Sequence, residues 1–185
     1  MANCLATLTG IGFDCTVNLA GVDRIYLANY DQLKFELGAE DTTGIVTKGT
    51  LAASAKLAVY VPAKNTGSLT KTMTKNESTG VRYWNNEIVA QFNAMDAAKR
   101  AELDGLDGAA VAGLVKDKNG VYWVIGFEQY ATVTAATGQT GAAPDDGNFY
   151  NITITDVTGA RMRTMDKTAA ETLIKGAGDA STGGA

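Results

Sequence analysis

The sequence predicts an α+β fold that is mainly β: an antiparallel β-sandwich or barrel with one packed helix at about residues 95–107 and extended arms and hairpin loops. Three observations predict it. Several runs alternate apolar and polar residues at period two, the mark of half-buried strands. The central stretch "MDAAKRAELDGLDG" changes to a helical period. The stretch "VKDKNGVYWVIG" at 115–126 reads as strand, tight turn, strand. With 45% hydrophobic and 19% charged residues in 185, the chain can bury a core as one globular domain.

Taken in order, Arg24–Ala28 forms a strand before Asn29 and Asp31 interrupt it. Leu33, Phe35 and Leu37 share one face of the next strand, with Lys34 and Glu36 on the other. A loop-rich stretch at 38–50 leaves room for a short strand at Ile45–Thr47. Leu57, Val59 and Val61 alternate until Pro62, which cannot donate to a ladder. Residues 63–80, "AKNTGSLTKTMTKNESTG", are polar and threonine-rich and read as a long hairpin arm. "VRYWNNEIVAQFNAM" is a strand in which Asn85-Asn86 marks a bulge or an edge. Asp96 caps the helix, Met95, Ala98, Leu103 and Leu106 share its buried face, and Gly105 or Gly108 ends it.

"AAVAGLVKD" returns to strand, and Asn119-Gly120 predicts a type I′ hairpin turn, which needs positive φ at both central residues. "VYWVIGFEQY" is the return strand, and "ATVTAATGQTGAAPDDGN" is a strand end followed by a long loop. In "FYNITITDVTG", Tyr150, Ile152 and Ile154 alternate with Asn151, Thr153 and Thr155 as a half-buried strand. Asp166 caps a short second helix that holds Leu173 and Ile174 and ends at Gly176. The domain division is therefore an N-terminal arm at 1–15, a single β-rich domain at 16–164 with its hairpin arm at about 63–80, and a short helix and tail at 165–185.

Chemistry is scarce. The chain has no His, which removes the commonest general base and metal ligand. Ser54 with Lys56 and Ser68 with Lys71 are spacings expected by chance, not a nucleophile and its base. Asp145-Asp146 reads as a solvated turn, because the alternating ligands of a calcium loop are missing. "TGQTGAAP" lacks the context of a phosphate loop. No catalytic, cofactor-binding or metal-binding residue is assigned, and no cofactor is expected. Net charge is −4, with no basic segment to hold nucleic acid. No run approaches the roughly 20 apolar residues that span a bilayer, so no membrane is expected. The start lacks the features of a secretory signal. Cys4 and Cys15 are either reduced thiols or a short-loop disulfide.

The aromatic pairs Tyr83-Trp84 and Tyr122-Trp123 place neighbours on opposite sheet faces. One member of each is core and the other lies in an interface, with a sugar-stacking platform as the alternative. A polar hairpin buries little, so packing on a neighbouring subunit is what would order it. These considerations nominate Leu69, Thr70, Met73, Tyr83, Tyr122, Leu173 and Ile174 as an assembly interface, with Asn119 and Gly120 as the hairpin turn.

The order "KLAVYVPAKNTGSLTKTMT", "GVRYWNNEIVAQFNAM", "DAAKRAELDGL", "VAGLVKDKNGVYWVIG", "TVTAATGQTG" and "YNITITD", spanning roughly residues 50–157, resembles virion structural proteins of tailed bacteriophages. The nearest likeness is to tail tube proteins of phages infecting Bacteroides-like hosts. The resemblance implies a homo-oligomeric ring, commonly hexameric, whose inner sheets join into a continuous barrel. It implies rings that stack through hairpins and arms, and other tail proteins as partners. It implies a virion-tail location after synthesis in the host cytoplasm, and a lumen through which DNA passes without specific binding. A head–tail connector, a capsid decoration protein and a carbohydrate-binding β-sandwich are the alternatives.

Overall fold

The computed structural model describes residues 11, 17–38, 43–143 and 145–177. Apart from Ile11, the expected N-terminal arm lies outside the described residues, as do Cys4, Cys15 and the tail from 178 onward. The described chain is mostly strand, in two open sheets that pack as a sandwich and do not close into barrels.

The first sheet has seven strands. In spatial order they are β2 (Leu33–Leu37), β3 (Ile45–Leu51), β11 (Thr164–Met165), β8 (Tyr122–Ile125), β7 (Val111–Asp117), β1 (Val22–Asn29) and β4 (Ala58–Tyr60). All its pairings are antiparallel except β3 with β11. The second sheet has four strands, ordered β5 (Ser68–Lys75), β6 (Arg82–Asn93), β10 (Phe149–Thr158) and β9 (Thr132–Gln139), all antiparallel.

Period-two geometry sends alternate residues of the first sheet to opposite faces. Both faces are covered. Ile25, Leu27, Val111, Val115 and Ile125 pack against Ile88, Ile152 and Ile154 of the second sheet and against Leu103 and Leu106 of α1 (Ala97–Asp107). Tyr26, Ala28, Leu114, Tyr122 and Val124 face the other way, in a core with Leu33, Val46, Met165 and two residues of α2 (Lys167–Gly176), Ala170 and Leu173. The burial of Ile25 to Ala28 in succession follows from this double cover. Gly113 belongs here as well: a Cβ at this position would run into the backbone of Tyr26 on β1.

Both predicted N-caps are present. The Asp96 carboxylate accepts from the Lys99 backbone N–H at 2.7 Å and that of Asp166 from Ala169 at 3.0 Å. Several expectations are corrected. Ala98 is exposed, so α1 buries Leu103 and Leu106 only. α2 belongs to the body, since its apolar face seats on β3. The hairpin expected at about 63–80 is formed by β5 and β6, and Ser68–Lys75 is the edge strand of the second sheet. Asn85-Asn86 makes no bulge, because β6 stays in register with both neighbours there.

The turn at Asn119-Gly120 is also not type I′, for only Gly120 has positive φ (81°). It is a three-residue loop, Lys118–Gly120, closed by the Gly120 N–H donating to the Asp117 carbonyl, with glycine in the left-handed position. The cause is Asp117, whose Oδ1 accepts from the backbone N–H groups of Asn119 and Val121 at 2.9 Å each.

Candidate assembly interface

Among the described residues, the second sheet differs from the first in having one face that no other element covers. Its inner residues build the sandwich core. Its outer residues line up in rows across the four strands, read from the register. Ser68, Val89, Thr153 and Ala135 form one row, and Thr70, Glu87, Thr155 and Thr132 form the next. Thr72, Asn85 and Val157 continue on one side, and Gln91, Asn151 and Thr137 on the other. Glu87 is the one charged residue in these rows. The β-branched threonines pack well on a pleated surface while keeping it polar. The result is a polar wall in which the Glu87 carboxylate is the one charge of these rows.

The two edges of this sheet are open among the described residues: β5 on one side and β9 on the other, 8 residues each. Thr72–Lys75 of β5 and Thr134–Gln139 of β9 are exposed throughout. The two hairpins point to opposite ends. The β5–β6 tip at Asn76–Val81 lies beyond Trp84, where β10 stops pairing. The β9–β10 loop at Thr140–Asn148 lies at the other end, beyond the Phe149–Asn93 pair. There the Asp146 carboxylate accepts from the Ala142 and Ala143 N–H groups, which holds its pKa below the usual carboxylate range. The predicted Asp145-Asp146 turn is therefore a hydrogen-bonded one.

Of the nominated interface residues, Thr70, Met73 and Tyr83 are exposed: Thr70 and Met73 on β5 and Tyr83 on β6 near the hairpin tip, with Met73 on the opposite sheet face from the other two. Leu69 is half-buried against the sandwich core. Tyr122 and Leu173 are corrected: both are buried in the core between α2 and the first sheet and have no surface to offer a neighbour. Ile174 is partly buried beside them. Their apolar side chains face inward because β8 is an interior strand and α2 covers it, whereas the sequence pattern alone showed only one apolar stripe. Sequence reasoning gave the polar face of β10, Asn151, Thr153 and Thr155, but missed the β9 edge and the rows that this face joins. Their signal was present in "TVTAATG" and "NITITD", where every second residue is small or threonine.

The aromatic pairs make no platform. Tyr122 is core, Trp84 is covered by the Arg161 guanidinium, and Trp123 lies under the Lys71 ammonium, leaving Tyr83 with an open ring.

Beneath the tip, the inner face carries one polar row where the others are apolar. Lys71 on β5, Asn86 on β6 and Asp156 on β10 are in register. Asn86 and Asp156 are buried, 0% and 3% exposed. Asn86 Nδ2 donates to Asp156 Oδ1 at 2.6 Å and to Thr158 Oγ1 at 3.1 Å. The Gly126 N–H donates to Asp156 Oδ2 at 2.8 Å, which ties the two sheets together. Burial raises the Asp156 pKa against the pull of these hydrogen bonds. Burial also brings Lys71 down to about 8, partly offset by Asp117. Asn86 Oδ1 is buried with no hydrogen-bond partner among the described residues.

Compared with known proteins, the chain matches no family model, no curated protein and no solved structure. Among the described residues, no helix is long and apolar enough to cross a membrane.

Proposed function

We propose that this chain is a structural virion protein, a tail tube subunit that joins copies of itself edge to edge into rings. One observation carries the reading. The second sheet has an even number of alternating strands, so its open edges β5 and β9 run in opposite directions. A copy rotated about a common axis therefore presents β9 to β5 in antiparallel orientation, the favoured ladder geometry. Repetition closes a ring and leaves no edge unpaired, which removes the aggregation hazard that two bare strands pose to a single chain.

The outer rows support the same reading. Facing inward, they would line a lumen with threonine, asparagine and small residues and with Glu87 as the repeated negative charge. Such a wall offers the phosphate backbone no cation to hold it. The hairpins at opposite ends would meet the rings above and below. A hexamer is the stoichiometry expected from the resemblance. Negative-stain electron microscopy of the purified protein, with light scattering on the same sample, tests this. Rings or hollow tubes are expected; a strict monomer at high concentration would overturn it.

A further inference from the structure

We infer that Lys71 and Asn86 form an intramolecular isopeptide cross-link, assisted by Asp156, that staples the base of the β5–β6 hairpin. The three residues lie side by side on adjacent strands, all facing the space between the sheets, with Asn86 in the middle. Directly opposed residues hold their Cβ atoms about 4.5–5.5 Å apart, well within the span of a lysine side chain that folds toward its neighbour. Trp84, Trp123 and Ile88 wall the site, and Asp156 already touches the amide to be broken. Among the described residues Asn86 Oδ1 has no hydrogen-bond partner, so the carbonyl that must be polarised carries no competing bond from them. Rotation of the amide about its last bond would place that oxygen against Asp156.

The surroundings supply the protonation states the reaction needs. Burial favours the neutral amine at Lys71 and the neutral acid at Asp156. The Lys71 amine adds to Cγ of Asn86 and forms the new C–N bond. The Cγ–Nδ2 bond breaks and ammonia leaves. Asp156 carries the proton, taking one from the attacking amine and giving one to the departing nitrogen, and ends as it began. Two side chains become one amide plus ammonia, with no oxidant, reductant or cofactor. The product replaces a half-buried lysine amine and a primary carboxamide with one neutral secondary amide across the two strands, which keeps the Asn86 carbonyl. This site is internal to one subunit, and the inference stands whether or not copies assemble.

The test is intact mass measurement of the denatured full chain, followed by tryptic peptide mapping. The expected result is a mass one ammonia below that of the sequence. A branched peptide should join Lys71 to Asn86, with no cleavage after Lys71. The Lys71→Arg and Asp156→Ala variants should return to full mass. If Asp156→Ala does not fold, Lys71→Arg, altered at a half-exposed position, carries the comparison. Recovery of Lys71 and Asn86 as ordinary residues would overturn the inference. So would an ammonia loss that maps to Asn119-Gly120, where an asparagine before glycine can cyclise on its own. A cross-link that persists in Asp156→Ala would remove the role assigned to that carboxyl group.

Discussion

The two sheets of this protein differ in what covers them, and their residues differ to match: the first is rich in Val, Leu and Ile, the second in Thr. The first is covered twice, by the second sheet and by α2, and its outermost strands, β4 and β2, have 3 and 5 residues. The second is covered once, and its outermost strands have 8 residues each with no partner among the described residues. A sheet buried on both faces is a stability element, and its short edges tempt no neighbour. A sheet with a bare polar face and two long edges is an unfinished surface. The difference is the reason assembly is proposed at the second sheet and not at the first.

The comparison can be broken most sharply at the β9 edge. Ala136 is exposed and lies on the free strand. The substitution Ala136→Lys places a charge where a second copy would pair, and it should abolish assembly while leaving the monomer's thermal unfolding nearly unchanged; light scattering and calorimetry check the two halves. In the first sheet the reverse holds. Leu114 is fully buried, and Leu114→Ala should cost about 2–5 kcal/mol in denaturant unfolding through the cavity it leaves.

The polar row gives a pH signature that the first sheet lacks. A carboxyl group whose folded pKa is raised binds its proton more tightly in the native state than in the unfolded chain. Its contribution to stability therefore falls as pH rises from the ordinary aspartate value through the raised folded value, and is level above it. The difference in unfolding free energy between the native sequence and Asp156→Asn, followed from about pH 4 upward, should slope in that sense. A flat difference would place Asp156 in water.

Smaller effects sharpen the contrast. Asp166→Ala removes the cap of the helix that covers the first sheet and should cost about 1 kcal/mol. Thr153→Ala, on the bare face of the second sheet, should stay within about 0.5 kcal/mol for the monomer.

Much of this architecture was legible in the residues. The alternation in "FYNITITD" and the caps Asp96 and Asp166 gave strand and helix positions, because period and capping are local properties. The β7–β8 hairpin was legible too, but the long-range strand pairing was not. Nothing local distinguishes Tyr122, which is buried, from Tyr83, which is exposed, since both stand beside a tryptophan in an alternating run. The hairpin at 63–80 was legible, but the pairing of its second strand β6 with β10, which makes β5 the edge of a four-stranded sheet, was not. The Asn119-Gly120 turn was misassigned for the opposite reason. A local competitor, the Asp117 carboxylate, captured the backbone N–H groups and selected a longer loop. The polar row was invisible because Lys71, Asn86 and Asp156 are brought together only by the register of three strands.

Amide hydrogen exchange, compared between the dilute and the assembled protein, tests the central claim most directly. The account predicts that Ser68–Lys75 and Thr132–Gln139 gain protection together on assembly, while the edges of the first sheet at Ala58–Tyr60 and Leu33–Leu37 exchange as before. Assembly that protects the first sheet's edges and leaves β5 and β9 exchanging freely would contradict it.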